Sequence, residues 1–373
     1  MTDESFGRIL RRHRLASGLT QPQLAERVHV DQSAVSRWEN DRAVPARDLV
    51  ERLDEMLDVG GDLVRSAFPA GPALLPPSDE LVTSDYVDQL RASIVHLVQL
   101  DGRYGGAELV PMATRMFRTA SARLAAGKYP AALETDFTAT VAELGEVAGW
   151  LAFDAMQHEK ARTLNLEALH LARLAGDTGM ELFLLGNMAL LAQETGQARE
   201  ALRTVELMER FPLSPRVRVM TALRRARAAA DLGDDRAITL IHRAQAEVDS
   251  SAQSTDPEWA WWVDLRELTV HEGGMWRAIG LPERAVDRYA AALEGIPAEY
   301  RWASYLGAAS LVSALVEVRS WSEAERAAEQ VAKLAAEVTS ARASKRLSAA
   351  ATTARRLRAP HSLEGLLTTL AAR

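Results

Sequence analysis

The chain has no cysteine in its 373 residues, so neither a disulfide framework nor a thiolate zinc site can be built. It has no uninterrupted apolar run of about 18 residues, the length at which a segment reads as membrane-spanning. The start, Met1-Thr2-Asp3-Glu4-Ser5, lacks the charged-then-apolar pattern of a signal segment. A cytoplasmic protein with no membrane partner is therefore expected. There is no glycine-rich phosphate loop with a lysine, and no Gly-x-Ser-x-Gly elbow. His271-Glu272 runs on into Gly273-Gly274-Met275, so the second histidine of a zinc-protease helix is missing. His158-Glu159 also lacks a partner at the right spacing. These gaps argue against an enzyme, and no metal or cofactor is expected.

A general excess of positive charge is missing too. The formal net charge is -7, which repels DNA from the molecule as a whole at long range. Between Met1 and Arg47 the balance reverses, with eight arginines (8, 11, 12, 14, 27, 37, 42 and 47) against six acids (3, 4, 26, 31, 39 and 41). An excess of two charges cannot supply affinity as a field, so binding of nucleic acid there needs placed phosphate contacts and two copies acting together.

What is present begins with Leu19 to Asn40, which reads as two short helices joined by a tight turn. Thr20 caps the first, Gln23 completes a capping-box spacing, and Pro22 falls early enough to need no donor. Leu24, Ala25 and Val28 form its apolar stripe, and Ala25 is small where two helices must cross. Val30 plugs the turn, Asp31 is placed to cap the second helix, and Val35 and Trp38 give that helix a buried face. Gln32, Ser33, Ser36 and Arg37 fall on the opposite side. Before this segment, Phe6 to Ser17 suits a first helix; after it, Leu49 to Leu57 and Leu63 to Phe68 suit two closing ones.

This pattern resembles the helix-turn-helix of the phage-repressor and Cro type, the XRE family. Trp38-Glu39-Asn40-Asp41-Arg42-Ala43-Val44-Pro45 matches that family's exit from the recognition helix. One position departs: the turn residue is usually glycine and here is His29, which tolerates positive φ better than most side chains. The resemblance implies that Gln21 anchors to a phosphate while Gln32, Ser33, Ser36 and Arg37 approach base edges. Glutamine suits adenine there and arginine suits guanine. Arg42 positions the DNA backbone. The implied partner is double-stranded DNA, bound by a homodimer at half-sites about one helical turn apart. Some domains of this kind act instead as protein adaptors.

Ser66 to Asp85 contains Pro69, Pro72, Pro76, Pro77 and Gly71, which reads as an extended connection. Beyond it the sequence is helical almost throughout. Turn signals recur at Gly127-Lys128-Tyr129-Pro130, Met156 to Glu159, Gly196-Gln197, Gly233 to Asp235, Gly280-Leu281-Pro282 and Arg319-Ser320-Trp321. The helices that follow include Ala161, Ala201, Ala237, Ala285 and Ala324, spaced 40, 36, 48 and 39 residues apart. Such a period predicts stacked helix pairs. The segments Gly280 to Leu293 and Gly196 to Leu202 resemble the second helix of tetratricopeptide repeats (TPR). Five or six pairs are expected from about residue 86, with Ser362 to Ala372 as a closing helix. An irregular all-helical domain is the alternative.

The expected fold is all-α: an N-terminal five-helix repressor-like helix-turn-helix domain plus a C-terminal TPR-like α-solenoid. The expected divisions are a DNA-binding domain at 1–68, a linker at 69–85, and a helical repeat domain for sensing and dimerisation at 86–373. On the concave face, Asn187 can pair with a peptide backbone, Arg224 can meet a carboxylate, and Trp262, in Trp259-Ala260-Trp261-Trp262, can stack on an effector. Each of these residues also has an ordinary structural role open to it. The domain order resembles bacterial quorum-type regulators, in which a repressor-like head joins a TPR receptor for a short peptide. Function is therefore expected to be sequence-specific transcription regulation under control of a peptide, small-molecule or protein effector. The alternative is a protein-interaction adaptor with a tethering or vestigial head.

Overall fold

Caps, turn residues and apolar spacing set the elements of the computed structural model. It describes residues 6–28, 30, 32–39, 45, 47–57, 59–67, 81–251, 256–294, 296 and 300–372, except the side chains of 33, 37, 47, 48, 65, 67, 249–251, 258 and 261. The chain divides into two compact units, Met1–Pro77 and Ser78–Arg373. No strand occurs among the described residues.

The N-terminal unit holds α1 (Phe6–Ala16), α2 (Gln21–Arg27), α3 (Gln32–Glu39), α4 (Arg47–Leu57) and α5 (Asp62–Ala67). Thr20 caps α2 through a complete capping box, which contributes about 1 kcal/mol. The Val30 N–H returns to Ala25 O at 2.9 Å and closes the turn into α3; His29 and Asp31 lie outside the described residues. Leu10, Leu24, Val35, Leu53 and Leu63 are fully buried in one core, each contributing about 1.5–3 kcal/mol. Asp54, buried on α4, accepts from the backbone N–H groups of Gly61 (2.6 Å) and Leu63 (2.8 Å) and so satisfies the start of α5.

The second unit opens with α6 (Ser84–Tyr104) and α7 (Val110–Ala126). Helix α6 starts inside the segment expected to be linker, and the buried Val82 already bonds to Lys128 O at 2.9 Å. Residues 68–80 of that segment lie outside the described set. Six pairs follow: α8 (Glu134–Asp154) with α9 (His158–Ala175), α10 (Thr178–Glu194) with α11 (Ala198–Met208), and α12 (Pro215–Asp231) with α13 (Ala237–Ser251). The rest are α14 (Leu265–Ala278) with α15 (Pro282–Leu293), α16 (Arg301–Glu317) with α17 (Trp321–Leu334), and α18 (Ala341–Arg356) with α19 (His361–Ala371).

One turn recurs in all six. A residue with positive φ ends each first helix: Met156, Gly196, Gly233, Gly280, Arg319 and Arg358. The next amide then bonds back to the fourth carbonyl before that residue, as in Gln197 to Ala192 O (2.7 Å) and Leu281 to Trp276 O (2.8 Å). Ala161, Ala201, Ala237, Ala285 and Ala324 are all buried, which lets the second helix of the first five pairs approach the first closely.

The stack also closes on itself. The Thr339 N–H, after α17, donates to Tyr104 O at 3.0 Å, across 235 residues of sequence. Gly105 has φ +88°, and a Cβ there would stand 1.8 Å from Thr339 O, so the close approach requires glycine. Trp302 on α16 donates its indole N–H to Asp154 Oδ2 on α8 at 3.0 Å.

Candidate nucleic-acid interface and effector site

Gln21 and Gln32 are the first residues of α2 and α3, so the turn brings their side chains together. Gln32 Nε2 donates to Gln21 Oε1 at 3.0 Å, and Gln21 Nε2 donates to Glu39 Oε2 at 2.8 Å. Glu39, the last residue of α3, is buried and held by Arg14 from α1: Nε to Oε1 at 2.5 Å and Nη2 to Oε2 at 3.0 Å. Arg14 Nη1 also donates to Leu19 O at 2.6 Å. The result is a continuous relay, Arg14–Glu39–Gln21–Gln32, from the buried interior to an exposed side chain. It leaves Gln32 with its Oε1 and one amide hydrogen outward, the pair that an adenine edge requires. Ser36 is half-buried on the same helix. Ser33 and Arg37 are in α3, but their side chains lie outside the described residues, as does all of Arg42.

In the second unit, Asn187, Arg224, His271 and Ser310 share one register. Each lies nine residues before the positive-φ residue of its own pair, namely Gly196, Gly233, Gly280 and Arg319. All four are buried. Asn187 Nδ2 donates to Glu146 Oε1 at 2.7 Å. Burial pushes the Glu146 carboxyl up to about 8, with Glu143 and Asp101 adding to the rise and the Asn187 amide opposing it. Arg224 Nε donates to Gly186 O at 3.2 Å, and its guanidinium lies 5.8 Å from the Trp262 ring centre. Burial pulls Arg224 down to about 10, and its Nη1 has no hydrogen-bond partner.

His271 sits between Arg227 Nη1 (3.0 Å from Nδ1) and Glu267 Oε1 (3.1 Å from Nε2). Burial outweighs the Glu267 carboxylate and lowers His271 to about 4, so the ring is neutral, accepting from Arg227 and donating to Glu267.

The structure thus joins Arg224 to Trp262 and gives Asn187 an acidic partner. Trp262 lies in a short 3-10 turn, Glu258–Trp262, between α13 and α14. Its neighbour Trp259 stacks on Phe183 at 4.3 Å.

A second register went unread in the sequence. Asp154, Glu194, Asp231 and Glu317 each stand two residues before the turn residue, and aligning the turns would have exposed that acidic row. A cleft of about 490 Å³ lies between α13, α14 and α15 above Glu272. That carboxylate already accepts from Gln245, Trp276 and His242, so the cleft floor is satisfied without a ligand. Among the described residues, no group of three or more acidic, histidine or cysteine side chains could hold a metal ion, and no helix is long and apolar enough to cross a membrane.

Residues 5–67 match a family described as a helix-turn-helix domain. No match to the chain is found among curated proteins. Among solved structures, a Rap protein complexed with Competence and Sporulation Factor is similar, with 13% identity over 95% of this chain and 98% of that one and a TM-score of 0.52. Bacillus thuringiensis PlcR, in complex with the peptide PapR7 and DNA, is 16% identical over 78% of this chain and 93% of that one, at a TM-score of 0.36. The chain therefore carries a helix-turn-helix domain at residues 5–67, and its all-helical, TPR-like fold is like that of the Rap protein.

Proposed function

We propose that the chain is a sequence-specific transcription regulator of the XRE type, acting in the cytoplasm as a homodimer whose helical stack senses an effector. The observation that carries DNA reading is the Arg14–Glu39–Gln21–Gln32 relay, which fixes one exposed amide at the start of α3 before any DNA arrives. Preorganisation of that kind lowers the entropy cost of a bidentate contact. Gln21 keeps one amide hydrogen and its backbone N–H for a phosphate. Ser33, Ser36 and Arg37 follow Gln32 along the helix toward the bases, and Arg42 meets the backbone. One domain with one or two bidentate contacts, each of about 1–3 kcal/mol, cannot select a genomic site, so two copies are required.

The effector reading rests on the row Asn187, Arg224, His271 and Ser310. It places one polar group in each of four consecutive helix pairs, buried until the stack opens, and neighbouring helices stand about 8–10 Å apart. An extended peptide, at about 3.3 Å per residue, meets such a row with every third residue. A peptide is therefore favoured over a compact small molecule, and the domains divide as head (1–68), connection and sensor.

Selection of a binding sequence from random duplexes, followed by Gln32→Ala, tests the first part. The expected loss is about 1–3 kcal/mol on the selected site and little on competitor DNA. Equal loss on both would remove base readout, and failure to enrich any sequence would leave the adaptor as the better account.

A further inference from the structure

Arg342, near the start of α18, lies in a cage built by α8, α10 and the neighbouring α16. Its guanidinium carbon is 4.6 Å from the centre of the Phe153 ring and 6.0 Å from that of Trp302. Its two terminal nitrogens reach Asp154 Oδ1 at 3.9 Å and Glu194 Oε1 at 3.8 Å. Asp154 is wholly buried and Arg342 nearly so. Aromatic faces and carboxylates around a planar cation are the groups that recognise guanidinium. Yet the fit is loose: both ion pairs exceed hydrogen-bond distance, and Arg342 Nε and Asp154 Oδ1 have no hydrogen-bond partner.

The cage has a clear electrostatic role in the closed form. Burial raises the Glu194 carboxyl, but Arg342, Arg346 and Arg227 more than offset this and hold it at about 2. Asp154 stays raised by burial even beside Arg342. Arg342 also lies two residues after Ser340, next to the Thr339–Tyr104 contact that closes the stack. Releasing Arg342 would therefore free the seam.

We propose that the Phe153–Asp154–Glu194–Trp302 cage is a binding subsite for a guanidinium-bearing effector group, and that Arg342 fills it as an internal stand-in that keeps the stack shut. An incoming arginine side chain with freedom to align could make the paired N–H···O contacts that Arg342 does not make. Binding and opening are then one event, because the effector competes with the residue that holds the seam. This rests on the effector reading of the stack and is independent of DNA reading.

The test uses the full chain with N-acetyl-arginine amide as probe and N-acetyl-citrulline amide as its neutral isostere. Calorimetry on Arg342→Ala is expected to show the arginine probe binding at least tenfold more tightly than to the natural chain, and at least tenfold more tightly than citrulline. The gain is expected to vanish in Arg342→Ala with Asp154→Asn. A folded Arg342→Ala that binds both probes alike, or no better than the natural chain, overturns the proposal.

Should Arg342→Ala fail to fold, amide exchange in the natural chain decides. Saturating arginine probe is expected to speed exchange at Thr339 at least tenfold, and citrulline to leave it unchanged. Unaltered exchange at saturation overturns the displacement. Loss of DNA binding in any variant does not bear on this outcome, which separates its failure from that of the regulator.

Discussion

Both units bury charge, and they treat it in different ways. In the N-terminal unit the Arg14–Glu39 pair meets in two short contacts, and the remaining capacity of each partner goes to Leu19 O and to Gln21. In the stack Glu272 is met by three donors, but Arg224 makes one carbonyl contact, Asp154 and Arg342 stand apart, and Glu146, near two other acids, is met by an amide. A buried charge whose hydrogen bonds are met is rigid, while one left partly unmet is expensive and ready to exchange partners. The first arrangement suits a surface that must be presented the same way each time. The second suits an interior that has to move.

The sharpest way to break this contrast is to remove Glu39. Glu39→Ala leaves Arg14 buried without a counter-charge and is expected to destabilise the N-terminal unit by about 3–5 kcal/mol. Amide exchange at Leu10 and Leu24 in the full chain reads that loss separately from the stack. Adding Arg14→Met to the variant is expected to recover most of it. A loss below about 1 kcal/mol would show that the relay is not the rigid element described here.

A smaller effect should appear with pH, in the stack alone. Burial raises Glu146 to about 8 and Asp101 to about 7, the latter with Asp154 adding and the Trp150 indole opposing. Both acids therefore hold a proton in the folded state that the unfolded chain has given up. Their contribution to stability is complete at acid pH and is lost as pH rises through the folded values. His271, lowered to about 4, works in the other direction but only below its unfolded value of 6.5. Between pH 6.5 and 8 His271 no longer contributes, and Glu146 and Asp101 each remove up to about 1.4 kcal/mol per pH unit, with Asp154 and Asp231, also raised by burial, working in the same direction. Urea midpoints across that window should fall in the natural chain and flatten in Glu146→Gln. A midpoint that rises with pH would contradict the burial described for both groups.

The smallest effect has the opposite sign to the first. Arg224→Met keeps the side-chain volume while removing a charge that burial disfavours, and stability is expected to hold or to gain up to about 1 kcal/mol. A Tm for the variant several degrees below the natural chain would place Arg224 with the rigid charges of the N-terminal unit.

Much of this was legible in the sequence because it is local. The Thr20–Gln23 capping box spans three residues, and the turn signals at Gly196, Gly233 and Gly280 carry their own φ requirement. The repeated alanines showed where second helices must approach. The site was harder to see, since its partners are remote. Arg14 is one of four arginines in a seven-residue stretch, and nothing local marks it as the one that turns inward to Glu39, 25 residues on. Asn187 was readable as a polar residue on an apolar helix, but its partner Glu146 lies 41 residues earlier. Trp302 and Asp154 are 148 apart, and no periodic pattern encodes a contact at that range. At Trp262, Pro257 and the bond from Val263 N to Ala260 O hold the segment in a short 3-10 turn, which the helix-rich pattern around it does not signal.

The junction at Gly105 and Thr339 also bears on how the protein is made. In an open array each repeat leans only on its neighbours, so synthesis can bank stable structure repeat by repeat. Here the earliest hairpins finish their packing only when the chain's last third has left the ribosome, and that long-range step should make maturation slow and all-or-none. A translation product that stops before Ala341 would lack the guanidinium that faces Asp154 and Glu194, a state better suited to degradation than to partial activity.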